Sequence, residues 1–425
     1  MNEHRRSPWW VVALAVVGAL SLVVGGLTAT VLGVVWVRHR VAADETAQAQ
    51  SAFYAAVADV PATPGTLIRS EPLEYSVVGG KGWRVVYTSI DGQGRPIAVS
   101  GRIFVPDAPA PTGGRKVVAW AHGTVGLASS CAPSRATTYT DLGFLAPALQ
   151  RGWVVVATDY AGLGMPGPPS YLIGEQEARD VVNSVRLARV FPGAGAGRDW
   201  IVYGASQGGH ASLWTAARAA GIAPELRLVA VAAAVPAAEL AAIMHAQWST
   251  VIGWVIGPDA LASWSVQHPD RDYTSALTPL GRDVAARLAD QCILETGIEA
   301  LGLHEADGAL FTADPLTFPA WAASVASETP PKPPRGMAMY LAQGMADDVV
   351  LPGSNALLQD QWCAAGVSIA SSWLSGVSHA DTSVVAGPTF VDWAVGRFAG
   401  EPAPSTCALG VPAPVEPLPV PSVSP

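Results

Sequence analysis

Val202-Tyr203-Gly204-Ala205-Ser206-Gln207-Gly208-Gly209-His210 joins an apolar run to a helix-compatible run through a serine set among glycines. Residues 200–203 read as a buried strand and residues 211–220 as a helix. Gly-x-Ser-x-Gly in that context demands a sharp turn whose backbone crosses itself without a Cβ in the way. It would raise Ser206 above the end of a sheet, over the N-terminus of the following helix. The pattern alone also fits an ordinary strand-to-helix turn with an incidental serine. The 43 glycines of the chain make such a match unremarkable by itself, so the reading depends on the rest of the chain.

That remainder alternates short apolar runs with helical stretches, the pattern of an α/β fold whose mostly parallel sheet is covered on both faces. Strands are predicted at 83–90, 96–105, 116–121, 153–159, 200–203, 226–234, 337–343 and 368–374. Asp91-Gly92-Gln93-Gly94 is a hairpin turn between the first two. Helices are predicted at 144–151, 174–190, 207–220, 355–365 and 388–399. The interval 237–334 breaks the rhythm. It has helical patterns with Trp248, Trp254, Trp264 and Trp321 and no convincing strand. We read it as a helical cap inserted into a body formed by 61–236 and 335–400. An apolar cap suggests a pocket for a hydrophobic chain, although its tryptophans equally suit the cap's own core.

The ends differ from this body. Residues 7–37 contain no charge, enough for a helix of about 45 Å, against a hydrocarbon core of roughly 30 Å. Trp9, Trp10 and Trp36 stand near its ends, where interfacial aromatics belong. The run is longer than a cleavable signal and is followed by Arg38-His39-Arg40, so 1–40 is expected to be a signal anchor. The body would then face outward, or be secreted if the anchor is cut. Residues 41–60 are expected to be a short helical stalk, and 401–425 a Pro-rich, mostly disordered tail. The chain has a net charge of −9 and three lysines, Lys81, Lys116 and Lys332. That balance argues against a nucleic-acid partner. Cys131, Cys292, Cys363 and Cys407 include no C-x-x-C pair, which argues against a zinc site. Two disulfides suit an exported body, with three pairings open.

A serine becomes nucleophilic when a base takes its proton and a carboxylate orients the base. On such a sheet the order is Ser, then Asp or Glu, then His. Asp347-Asp348 follows the predicted strand 337–343, and His379 follows 368–374. Both lie past strand C-termini, where sites on open sheets gather. His379 is the expected base and Asp347 the expected acid, with Asp348 as its alternative. His210, four residues along a helix, is expected to pack, and His122 to brace a loop. Asp381 is too near His379 to orient it. The amide of Gln207 is the first expected oxyanion donor. The second should come from His122-Gly123-Thr124-Val125-Gly126, at Thr124 or else Gly123.

Together these residues resemble the secretory lipases typified by Candida antarctica lipase A, over about 64–397. The resemblance is carried by Pro64-Gly65-Thr66-Leu67-Ile68-Arg69-Ser70-Glu71-Pro72, Tyr87-Thr88-Ser89-Ile90-Asp91-Gly92-Gln93-Gly94-Arg95-Pro96 and Trp120-Ala121-His122-Gly123-Thr124. Cys131-Ala132-Pro133-Ser134, Thr158-Asp159-Tyr160-Ala161-Gly162-Leu163-Gly164 and the Ser206 turn complete it. It implies an α/β-hydrolase fold with a helical cap. It implies carboxylic ester hydrolysis of acylglycerols or related acyl esters, without metal or cofactor. It also implies the trio Ser206, Asp347 and His379, a donor near Thr124, and disulfides Cys131–Cys292 and Cys363–Cys407. The chain departs from the family pattern in its anchor-like start, in its tail, and in Asp347-Asp348-Val349-Val350-Leu351-Pro352, one residue longer than the usual Asp-x-x-Val-Pro. A serine esterase or lipase is the leading expectation. Acyl transfer by the same trio and a non-catalytic lipid-binding envelope protein are the alternatives.

Overall fold

The computed structural model describes residues 52–415. The chain divides into two units, Met1–Phe53 and Tyr54–Pro425. The second is built on a nine-stranded sheet: β1 (Leu67–Pro72), β2 (Gly80–Ile90), β3 (Pro96–Pro106), β4 (Arg115–Ala121), β5 (Val154–Thr158), β6 (Ala196–Ala205), β7 (Arg227–Ala234), β8 (Ala338–Gly344) and β9 (Ser368–Leu374). The order is β1-β2-β3-β5-β4-β6-β7-β8-β9. Pairings from β1 to β5 across β2 and β3 are antiparallel, and all those from β5 to β9 are parallel. This is the expected α/β class with a mostly parallel sheet. β1 escapes prediction because Leu67-Ile68-Arg69-Ser70-Glu71-Pro72 lacks an apolar run, as suits an edge strand closed by a proline.

Helices cover both faces. On one face, α2 (Gly174–Val190), α3 (Gln207–Ile222) and α9 (Pro352–Ala364) bury Val181, Val185, Leu213 and Leu358 against the sheet. On the other, α1 (Leu145–Gln150) and α10 (His379–Phe398) bury Leu145, Phe390 and Val391. Helix α10 begins nine residues before the predicted start at Pro388, which lies inside it. Proline usually opens a helix because it lacks an N–H to donate. Here the carbonyl of Val384, four residues back, lies beside Gly143, and Gly387 lies against Phe144, so close that a Cβ at either glycine would collide with backbone.

Between β7 and β8 the chain forms α4 (Leu240–Gln247), α5 (Val251–Gln267), α6 (Pro279–Ala289), α7 (Ile293–Glu305) and α8 (Pro319–Glu328), with no strand. A third core joins these helices. Trp264 and Trp321 stand 5.6 Å apart, and Tyr273 meets Trp321 edge-on at 5.6 Å. With Trp254 they are fully enclosed, so these tryptophans fill the insertion's own core rather than line a channel. Disulfide Cys131–Cys292 ties the loop after β4 to the start of α7, and Cys363–Cys407 ties α9 to the final segment. Both pairings are those the resemblance implied.

Two stretches differ from expectation. Residues 52–60 form turns rather than a helical stalk. Tyr54 is buried, its hydroxyl 2.8 Å from Ser134 Oγ. Residues 401–415, expected to be disordered, run along the sheet edge. Thr406 donates its N–H to Ile369 O at 2.7 Å and accepts from Ser371 N–H at 2.9 Å. The disulfide holds them where they cover the open edge of β9. The expected anchor 1–40, the rest of the stalk and the end of the tail lie outside the described residues. Among those described, no helix is long and apolar enough to cross a membrane.

Candidate active site

Ser206 stands between β6 and α3 with φ +55° and ψ −116°. Only steric freedom around it permits that backbone. A Cβ on Gly204 would lie 2.0 Å from Gly208 O, and one on Gly208 1.8 Å from Ala121 O. Both glycines are therefore obligatory, which explains the motif physically. Tyr160 after β5 and Val235 after β7 also have positive φ, +67° and +42°. Three strand ends on this rim thus hold non-glycine residues in a costly conformation, the kind of strain that gathers at functional sites.

The three residues read from the sequence order meet here. Ser206 Oγ is 3.0 Å from His379 Nε2. His379 Nδ1 is 2.8 Å from Asp347 Oδ2 and 3.0 Å from Oδ1. A carboxylate only accepts, so Nδ1 carries the hydrogen and Nε2 accepts from the serine hydroxyl. His379 is the first residue of α10, capped by Ser378, whose hydroxyl accepts from Asp381 N–H. Asp381 thus serves the cap rather than the histidine.

Asp347 is held from all sides. The N–H groups of Val349 and Val350 each donate to Oδ1 at 2.9 Å, and Gln343 Nε2 donates to Oδ2 at 3.3 Å. Its side chain is sealed from solvent, whereas that of His379 keeps 18% of its surface. Asp348 is exposed, and its carbonyl accepts from Gln247 Nε2 of α4 at 2.8 Å. The geometry therefore brings Asp347 and not Asp348 to the histidine.

The loop after β4 lies beside the elbow because Ala121 pairs with Gly204. Gly123 packs so closely that a Cβ there would be 3.3 Å from Ala205 O and 3.5 Å from Ser206 Cβ. Thr124 Oγ1 is 3.1 Å from Tyr171 OH. Val125 O accepts from Ile293 N–H at 2.9 Å, and Gly126 bridges to Cys292, where a Cβ would meet Gln291 O at 2.1 Å. The loop is thus stitched to the helical insertion. The N–H of Gln207 opens α3, at the positive end of the helix dipole. A cavity of about 20 Å³ lined by Val125, Tyr160, Tyr171 and Gln207 adjoins it. That is room for a water, not for an acyl chain.

Neither of the other histidines near the elbow reaches Ser206. His122 points Nδ1 at Gly123 O, 2.7 Å, and Nε2 at Asp159 O, 3.3 Å, bracing its loop. His210 is fully buried, with Nδ1 2.7 Å from Glu177 Oε2 and Nε2 2.7 Å from Glu328 O. Burial pulls its pKa down, but the charge of Glu177 and the hydrogen bonds to Glu177 and Glu328 outweigh that and leave it raised. Glu177 and Glu328 carry no sequence signal. Glu177 reads as an ordinary acidic residue in the first turn of a helix.

Residues 129–406 match the secretory lipase family model, and the chain belongs to that family. Its relatives include Lipase 5 of Candida albicans, 24% identical over 383 residues, covering 81% of this chain and 80% of that one. They also include a Mycobacterium tuberculosis protein named as a probable inactive lipase, 24% identical over 372 residues and 80% of each chain. The fold is similar to Candida antarctica lipase A in its closed state, with a TM-score of 0.66 at 18% identity, over 85% of this chain and 89% of that one. It is also similar to the rice cell wall degrading esterase LipA of Xanthomonas oryzae, with a TM-score of 0.62 at 18% identity, over 79% and 98%.

Proposed function

We propose that this chain is a serine carboxylic ester hydrolase, an esterase or lipase that works through an acyl-enzyme on acylglycerol-type or other acyl esters. The continuous hydrogen-bond chain Asp347–His379–Ser206 carries the reading. A relative named as inactive shows that membership of the family does not guarantee activity. Here all three side chains are present and within bonding distance. Ser206 Oγ attacks the ester carbonyl as His379 Nε2 takes its proton. Asp347 stabilises the resulting imidazolium through Nδ1–H. The oxyanion is met by the N–H of Gln207 and by the loop at Thr124. His379 then protonates the leaving alcohol, and water activated by the same nitrogen releases the acid.

The body acts as an α/β-hydrolase scaffold and helices α4–α8 as its cap. The charge-free run 7–37 supports a membrane anchor with this body outside, or a secreted body if the run is removed. The test is covalent labelling by a fluorophosphonate together with hydrolysis of a soluble p-nitrophenyl ester. The parent should do both, and Ser206→Ala should lose labelling and about 10⁶-fold in kcat. A folded parent that is neither labelled nor active would refute the proposal. Product transfer to added alcohols in preference to water would assign the same trio to acyl transfer.

A further inference from the structure

We propose that Glu177 is a positioning residue that fixes the oxyanion donor Gln207, a role resting on the reading above. Glu177 lies on α2, its side chain wholly buried. One carboxylate gathers three donors. Oε1 accepts from Gln207 Nε2 at 2.9 Å and from Leu172 N–H at 3.1 Å, and Oε2 faces His210 Nδ1 at 2.7 Å. Gln207 and His210 are three residues apart on the first turn of α3, so they share a face. The carboxylate therefore grips, at two points, the turn that presents the Gln207 N–H beside Ser206.

The far side of the grip is the helical insertion. His210 Nε2 donates to Glu328 O at 2.7 Å and Trp214 Nε1 to the same oxygen at 3.0 Å, while Glu328 Oε2 accepts from Gly174 N–H at 2.9 Å. Glu328 is the last residue of α8. The elbow helix, the start of α2 and the return of the insertion are thus locked into one buried polar network.

A lone buried carboxylate near Ser206 would oppose an oxyanion. The network removes that conflict. Both ring nitrogens of His210 face acceptors, so the Glu177–His210 pair holds one shared proton and no net charge. Burying such a pair is costly compared with an apolar contact of the same volume. Helix docking alone does not call for it. Orientation of an amide that must be in place before charge develops does, because preorganised donors act without reorganisation.

The experiment measures the rate constant for fluorophosphonate labelling of Ser206, whose transition state uses the same donors, beside kcat and KM on a soluble p-nitrophenyl ester. Glu177→Leu should slow labelling and kcat about 10²-fold, the scale of losing one oxyanion donor, with KM within about threefold. Gln207→Met deletes only the side-chain bond to Glu177 and should cost about 10-fold in the same constants. Glu177→Gln should restore labelling to within about fivefold of the parent, since the introduced amide can accept from Gln207 and Leu172 and donate to a neutral His210. A structural role alone would lower Tm and leave the constants per folded molecule unchanged. Parental constants in Gln207→Met and in folded Glu177→Leu would overturn the proposal while leaving the hydrolase reading intact. If Glu177→Leu does not fold, Gln207→Met decides. An unlabelled, inactive parent would overturn both.

Discussion

The Ser206 corner and the helical insertion solve opposite problems. At the corner Ser206 Oγ, both nitrogens of His379 and both oxygens of Asp347 are paired. Each partner comes from a strand end or a tight loop of the sheet. In the insertion, Asp259 Oδ1 and Gln291 Oε1 are buried without a hydrogen-bond partner, and Leu294 and Ile298 on α7 are 72% and 65% exposed. Buried polar atoms without partners and apolar side chains in water both cost free energy. At that corner the sheet holds one fully paired geometry. The insertion carries local misfit while being fastened at two points, in its middle by Cys131–Cys292 and the Gly126–Cys292 bridge and at its end by the Glu328 network.

The sharpest way to break that contrast lies within the corner. Asp347→Asn leaves the shape of the loop but presents a group that can donate to His379, favouring the wrong tautomer. It should lower kcat about 10⁴-fold with little change in KM. Asp348→Asn, one residue away on an exposed side chain, should leave kcat within about twofold. Kinetics per titrated active site check both. Equal losses would mean that the carboxylate holding His379 has been misassigned.

Most of this corner was legible in the sequence because its logic is linear. Strand ends put Ser206, Asp347 and His379 on one rim, and the order Ser–Asp–His follows the order of the strands. Asp347 was the expected acid, but Asp348 stayed open as its alternative, since the choice rests on which side chain the Val349 and Val350 amides enclose. The Glu177 network was illegible for a related reason. A glutamate at a helix start has a sufficient explanation in the helix dipole, and nothing local reveals that α3 and α8 close over it. The edge strand β1 and the packed segment 401–415 were missed because backbone pairing and a disulfide, not apolar periodicity, hold them. Residue pattern reports what a segment buries. It does not report what another segment brings to it.

The disulfides sharpen the contrast at the next scale. Cys131–Cys292 spans 161 residues and Cys363–Cys407 spans 44. Replacing either pair by serine should cost about 2–5 kcal/mol, the longer closure about 1 kcal/mol more than the shorter. Only the first should also lower kcat, since it fastens the insertion to the loop carrying Thr124. Thermal unfolding and ester hydrolysis at one temperature separate the effects. A kcat loss in the Cys363–Cys407 variant equal to that in the Cys131–Cys292 variant would deny the insertion its special link to the site.

The smallest effect tests whether the insertion carries misfit at all. Burial pushes the pKa of Asp259 well above its usual range, and Oδ1 has no hydrogen-bond partner to offset that. The folded state then retains a proton that the unfolded chain releases above about pH 4. A folded state that binds more protons loses stability as pH rises. Stability should therefore be highest below the unfolded pKa and fall as pH climbs through the interval up to the raised folded pKa. Asp259→Asn carries no such penalty. It should match the parent near pH 4 and exceed it in Tm by a few degrees near pH 8, with kcat on a soluble ester little changed. Asp347, by contrast, is enclosed by donors, and its replacement by Asn should cost activity. If the Tm difference between Asp259→Asn and the parent stays flat from pH 4 to pH 8, Asp259 is not held protonated, and the insertion is better matched internally than its unpaired oxygen indicates.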